Sequence, residues 1–205
     1  MNIPLAKKHY TLDEFLAIEE ELEEKHEYHG GEIIPKFRDV WSTGSHSLIS
    51  QRTGTVLTNL LDNANKNCSV YNNDLKIYMA SINKAVYPDA SVVCGDTQYY
   101  DKNETIATNP LLIVEVLSKS TKNYDRSTKF EYYRTLPSFK EYVIIFQTIP
   151  KIQTWYKHDE NLWRISSAFG LDSSIELLSL GITIDLKDVY RRVKGLKDED
   201  DLSAY

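Results

Sequence analysis

Glu115 stands inside the most apolar run of the chain, Leu111-Leu112-Ile113-Val114-Glu115-Val116-Leu117, at a position where a buried strand would take another branched aliphatic. A carboxylate removed from water without a partner is strongly disfavoured, so such a residue is neutralised, hydrogen-bonded or used to hold a cation. A second carboxylate, in Tyr87-Pro88-Asp89-Ala90-Ser91-Val92-Val93, sits directly after a proline at the mouth of another β-branched run. Two carboxylates on neighbouring strands, joined by a backbone carbonyl such as that of Val116, make a hard-oxygen site for Mg2+ or Mn2+. A cation of that kind activates a water and stabilises charge developing on a phosphodiester. Each acid also has a plainer reading. Asp89 can close a turn after Pro88, and Glu115 can be half of a buried ion pair.

The elements that must position these acids are legible from period and punctuation. The apolar run around Glu115 is too short for a membrane span and too β-branched for a helix, which makes it a central strand buried on both faces, with Glu115 opposite Val114 and Val116. Thr11-Leu12-Asp13-Glu14 has the spacing of a capping box and opens a helix over 12–25, whose acidic stretch 19–24 reads as a solvated outer face. Tyr28-His29-Gly30-Gly31-Glu32-Ile33-Ile34 is a tight hairpin turn, and Ser45 is placed to cap a second helix over 46–64. Period-two runs give strands at 69–71, 75–80, 89–94, 111–117, 142–147, 152–157 and 163–168, with a third helix over 125–135 and a mobile loop over 96–109. This order is expected to fold as one α+β (mixed α/β) domain over 1–205, a central mixed sheet flanked by helices. Residues 1–40 would supply its N-terminal helix and hairpin, and 197–205 an acidic tail.

Charge and cysteine content narrow the function. The net charge is −6, but the first 34 residues hold three lysines against nine carboxylates, and the tail sets Lys197 against Asp198, Glu199, Asp200 and Asp201. Residues 35–196 are therefore left with a small positive surplus, compatible with a polyanionic substrate. Lys119, Lys122, Arg126, Lys129 and Arg134 cluster around the start of the third helix and can contact phosphates, though Asp125 and Glu131 can pair with some of them. Cys68 and Cys94 fit no zinc spacing and are too few for a secreted disulfide scaffold. With no signal-peptide core and no membrane span, a reducing cytoplasmic location is expected.

The ordered series Glu27-Tyr28-His29-Gly30-Gly31-Glu32, Ser45-His46, Pro88-Asp89, Val114-Glu115-Val116-Leu117-Ser118, Ser120-Thr121, Asp125, Lys129-Phe130-Glu131-Tyr132-Tyr133 and Glu141-Tyr142-Val143 resembles the Uma-type restriction-endonuclease-like family of the PD-(D/E)XK nuclease superfamily over roughly residues 10–158. The resemblance implies a restriction-endonuclease-like core, a divalent metal (Mg2+ or Mn2+) at Asp89 and Glu115, phosphodiester hydrolysis with DNA as the favoured substrate, and homodimers. The superfamily pattern places a catalytic lysine two residues after the acid, where this chain has Leu117. In the family that the chain resembles a lysine on the next helix serves instead, which falls on Lys129. Its role would be to position water or stabilise charge in the transition state. Glu27 and His46 are candidate site-lining residues, though Glu27 can simply close its hairpin and His46 can make an ordinary polar contact. Lys119, Lys122 and Arg126 are candidate nucleic-acid contacts. Two other readings remain open: a nuclease fold retained as a binding or regulatory module without turnover, and an oligomerisation domain in which Glu115 is only a buried ion-pair member.

Overall fold

The computed structural model describes residues 9–36, 43–117 and 124–197. Helix α1 (Leu12–Glu21) begins at Thr11, whose hydroxyl accepts from the Glu14 amide while the Glu14 carboxylate accepts from the Thr11 amide. It buries Leu12, Phe15 and Leu16 against Tyr28, Ala85 and Ile106. The helix stops short of residue 25 because its last turn gathers glutamates with no basic residue to oppose the helix dipole, and Leu22 turns extended. Strands β1 (His26–His29) and β2 (Glu32–Pro35) form the expected hairpin, with Gly30 and Gly31 both at positive φ in its two-residue loop.

Helix α2 (Gly44–Asn63) is capped by Thr43, not Ser45, with the His46 amide 3.2 Å from the Thr43 hydroxyl. It is followed by β3 (Cys68–Asn72), β4 (Lys76–Met79), β5 (Lys84–Val86), β6 (Ala90–Cys94), β7 (Ile106–Ala107) and β8 (Leu112–Leu117). After β8 the chain forms a wide π-type turn over Tyr124–Lys129 and a single α turn, α3 (Phe130–Tyr133), in place of the regular helix over 125–135. The Tyr142 hydroxyl donates to the Asp125 carbonyl at 2.7 Å inside this wide turn. Strands β9 (Glu141–Phe146), β10 (Lys151–Lys157) and β11 (Trp163–Phe169) complete the expected meander, and β12 (Ser174–Leu177), β13 (Ile182–Asp185) and α4 (Leu186–Val189) follow it.

The central sheet has the order β11-β10-β9-β8-β6-β3, with β8 and β9 parallel and the other neighbours antiparallel. Strand β8 is buried on both faces. Val114 and Val116 enter one apolar cluster with α2 and α4, while Ile113 and Leu117 enter the other beside Phe130, Tyr133 and Tyr142, so period-two alternation puts Glu115 on the second face. A separate five-stranded sheet, β2-β1-β5-β4-β7, which the sequence patterns did not resolve, lies on the N-terminal side of the fold. Its strand β7 lies within residues 96–109, and that segment is tied by a Tyr99 bridge to Ala107 and by Asp101 and Asn109 side-chain bonds rather than running as an unsupported loop. Cys68 and Cys94 face each other across β3 and β6 and are joined as a disulfide. Their spacing in sequence carries no information about that register. Among the described residues no helix is long and apolar enough to cross a membrane.

Candidate active site

The antiparallel register of β6 and β8 pairs Ala90 with Val114, which sets Asp89, one residue before β6, across from Glu115. The Asp89 Oδ2 atom accepts from the Val116 amide at 2.7 Å and lies 3.5 Å from His46 Nε2, at the first turn of α2. Burial raises the pKa of Asp89, but His46, the Val116 amide and the Lys129 charge together hold the carboxyl below its usual range. Burial likewise opposes protonation of His46, and the hydrogen bond and charge of Asp89 more than offset it, raising the imidazole pKa.

Glu115 is wholly inside. Its Oε1 accepts from Lys129 Nζ at 2.9 Å and from the Tyr133 hydroxyl at 3.0 Å, both carried by the wide turn and α3 that follow β8. Burial, with Asp125 and Asp89 nearby, pushes the Glu115 carboxyl up, and Lys129 opposes that rise. Lys129 is itself 1% exposed, yet Glu115, Asp125, Glu27 and Asp89 overcome its burial and keep it protonated. Its ammonium also reaches the Tyr87 carbonyl at 3.2 Å and Asp125 Oδ1 at 3.3 Å. Two of the three Lys129 donors are therefore taken by protein acceptors, and Asp125 adds an ion pair without a hydrogen bond to its Oδ1.

Two residues of the first hairpin complete the cluster. Glu27 is buried, takes a hydrogen bond from the Tyr124 hydroxyl at 2.9 Å and lies 3.2 Å from His29 Nε2, close enough to Lys129 to feel its charge. Its Oε1 is buried without a hydrogen-bond partner among the described residues. Burial raises its pKa, and His29, Lys129 and Lys36 bring the net value below the usual range. Lys36, which sequence reasoning did not single out, donates to the same Tyr87 carbonyl at 3.3 Å and lies over the Tyr87 ring. Burial and the Lys129 charge pull its pKa down to about 8 against the attraction of Asp89, Glu115 and Glu27. No local pattern marks it, because a lysine just beyond a hairpin is ordinarily a solvated rim residue. Tyr133 was likewise hidden, since its ring belongs to the core and only its hydroxyl faces Glu115.

The other expected site residues divide. Val116 meets Asp89 through its amide. Arg126 stands over the Phe146 ring, and Arg134 pairs with Glu131 at 3.0 Å. Lys119, Lys122, Ser118 and Ser120, and the acidic run at 198–201, lie outside the described residues. Glu19 departs from the solvated face expected for it. Its side chain is buried and accepts from the His26 amide and the Tyr87 hydroxyl, each at 2.8 Å.

Among the described residues no three His, Cys, Asp or Glu side chains form a ready metal cage. The donor set nevertheless fits a hard cation. Mg2+ is commonly held by one or two carboxylates with substrate oxygens and water completing its shell. Among the described residues, the carboxylates of Glu27, Asp89, Glu115 and Asp125 gather with Lys36, Lys129 and the His46 imidazole beside Asp89, so acids still outnumber these bases and a divalent ion would offset the difference.

The family described as "Uma2: Putative restriction endonuclease" matches residues 12–187. In Synechocystis sp., "Uncharacterized protein slr1290" is 35% identical over 87% of this chain and 90% of its own length, and "Uncharacterized protein sll1609" is 29% identical over 86% and 97%. A crystal structure from Anabaena variabilis, titled as a "putative nuclease belonging to DUF820", superposes with a TM-score of 0.66 at 18% identity, covering 88% of this chain and 97% of that one. At that identity the match speaks for the fold, which is restriction-endonuclease-like.

Proposed function

The chain belongs to the Uma2 family of restriction-endonuclease-like proteins, and on that premise we propose that it is a divalent-metal-dependent endonuclease acting on phosphodiester bonds, with DNA as substrate. The observation that carries this reading is the meeting, at one buried point, of Asp89, Glu115 and Lys129 from three separate elements. Asp89 and Glu115 would hold Mg2+ or Mn2+, which when bound supplies Lewis-acid stabilisation and an activated water. The Val116 amide and His46 fix the Asp89 carboxylate, leaving its second oxygen for the ion. Lys129 and Tyr133 fix Glu115 in the same way. Because Lys129 is buried and bonded to Glu115 and the Tyr87 carbonyl, its part is to orient Glu115 and to lend positive charge. Lys36, whose ammonium makes one hydrogen bond among the described residues, to the Tyr87 carbonyl, is the less enclosed cation and has donors left for a phosphate oxygen. Two copies of the chain would present two such sites to a duplex.

The test is cleavage of supercoiled plasmid with Mg2+ or Mn2+ by the wild type and by Asp89→Asn, Glu115→Gln and Lys36→Met. Loss of a single removed charge-stabilising contact should lower the rate by about 100-fold or more. Wild-type activity in Asp89→Asn would refute the assignment. A second reading, a nuclease fold kept for binding, draws on the burial of Lys129 and its ties to Glu115, Asp125 and the Tyr87 carbonyl. It predicts metal and nucleic-acid binding with no cleavage under any divalent ion.

A further inference from the structure

Gly54 lies near the middle of the 20-residue helix α2, where a glycine destabilises a helix relative to alanine. Nothing in the packing asks for it, since a Cβ at that position would meet nothing within 4 Å. Gly54 instead lines a groove of about 900 Å3 between α2 and β3, with His46 and Asp89 among its walls. Along the helix, Ser50, Gln51, Gly54, Thr55 and Asn59 recur at spacings of three and four, which puts them on one face, and Asn73 contributes from across the groove. Apart from His46 and Asp89, the lining among the described residues is uncharged.

That character excludes some ligands and favours one. A surface that tracks the phosphate backbone carries lysine and arginine. Here the available groups are amides: the side chains of Gln51, Asn59 and Asn73 make no hydrogen bond to the described protein, and each offers both donors and an acceptor. Asparagine and glutamine are the side chains whose paired donor and acceptor match a base edge. A paired base is read by an element that protrudes into a duplex groove, whereas a concave recess receives a base that has left the stack.

We propose that the α2–β3 groove binds unpaired nucleobases of the strand whose backbone is presented to Asp89, with Gly54 leaving space for a base to lie against the helix and the surrounding amides reading its edge. The proposal rests on the nuclease reading for the identity of the strand. It makes the preferred substrate single-stranded, or locally opened, next to the cleaved bond.

The test measures binding of a labelled single strand of about 12 nucleotides, the same strand with abasic positions, and its duplex, by fluorescence anisotropy with Ca2+ as the hard cation. The wild type is expected to bind the intact strand about tenfold tighter than the abasic one, the equivalent of a single well-read base. Gly54→Ala should raise the melting temperature while weakening binding of the intact strand. Gly54→Met and the Gln51→Ala/Asn59→Ala double variant should weaken it by about tenfold, and all three should leave the abasic strand unchanged. Equal wild-type affinity for the intact and abasic strands, or undiminished binding by Gly54→Met, would overturn the proposal. Gly54-dependent binding without cleavage under Mg2+ or Mn2+ would sustain the groove and sink the nuclease reading. Cleavage of duplex unaffected by Gly54→Met would do the reverse, and absence of all nucleic-acid binding would sink both.

Discussion

Lys129 and Lys36 share one carbonyl acceptor, that of Tyr87, but their surroundings give them opposite tendencies. Lys129 is embraced by carboxylates that hold its proton, whereas Lys36 is buried beside another ammonium and gives its proton up more readily. Removing Lys129 leaves Glu115 buried with, among the described residues, only Tyr133 as donor, so Lys129→Ala should destabilise the metal-free protein by about 3–5 kcal/mol, the usual consequence of breaking a buried pair. The double variant Lys129→Met/Glu115→Gln should recover most of that in urea unfolding. Lys36 has the contrary sign. Its pKa is 10.5 when unfolded and about 8 when folded, so at pH 7 both states are protonated and the folded one bears the full cost, roughly 3 kcal/mol at about 1.36 kcal/mol per pKa unit. Stability should climb as pH rises from about 8 to about 10.5, where the unfolded chain holds more protons. Lys36→Met should therefore stabilise the metal-free protein at pH 7 by about 1–3 kcal/mol after loss of the Tyr87 contact, with the advantage shrinking as pH rises above about 8. A destabilised Lys36→Met at pH 7 would show that the ammonium is not desolvated. The two acids were visible in the sequence because an ionisable group in a β-branched run, and another directly after a proline, violate local expectation. Lys36 violates none, and its importance comes only from the packing of the hairpin end against Tyr87.

Elements were legible where a local signal and a tertiary demand agreed. The capping box of α1, the Gly30-Gly31 hairpin and the fully buried β8 each fulfil both. Helix α2 shows the usual uncertainty at a boundary: Ser45 and Thr43 are equally good caps by residue type, and the choice is settled by the longer helix and by Gln147 Nε2, which donates to the Thr43 hydroxyl at 2.7 Å. Thr43→Ala should accordingly cost about 1 kcal/mol and Ser45→Ala well under half of that in chemical denaturation. The reverse order would restore the cap to Ser45. The wide turn over Tyr124–Lys129 was not legible, because its residues have ordinary helical propensity and the departure comes from the site. Asp125 and Lys129 are held by an ion pair, and the Asp125 carbonyl is taken by Tyr142 from β9. Local geometry here follows tertiary contacts that lie outside the window of any periodicity.

At the scale of the molecule, the mixed sheet between helices followed from the order of periods, but the separation of the five-stranded sheet and of the β12-β13 pair from it did not. Strands β5 and β7 are only three and two residues long, and they are specified by their neighbours β1 and β4 rather than by their own sequence. The Cys68–Cys94 bond has the same origin, being a consequence of how β3 registers on β6. An apolar cluster joins the two sheets, with Ile77, Met79, Val86 and Ala107 packed with Ile113, Leu117 and Ile144, and the charged cluster adds a second tie, since the hairpin supplies Glu27, α2 supplies His46, and the central sheet supplies Glu115. A cation bound there should thus stabilise the whole fold. At a free concentration of about 100 times the dissociation constant the gain is about 2.7 kcal/mol, which for a chain of this size corresponds to roughly 5–10 °C in melting temperature. The sign with pH follows from Glu115. Burial raises its pKa, so as pH falls the carboxyl takes up a proton that competes with the ion, and the Mg2+-induced shift should shrink while the metal-free curve is followed in parallel as the reference. Asp89→Asn should lose most of the shift at every pH, and Lys36→Met, which removes a competing positive charge, should enlarge it. Thermal unfolding with and without Mg2+ and Mn2+ between pH 5 and 8 measures all three, and a shift that is equal in wild type and Asp89→Asn would place the ion elsewhere on the molecule.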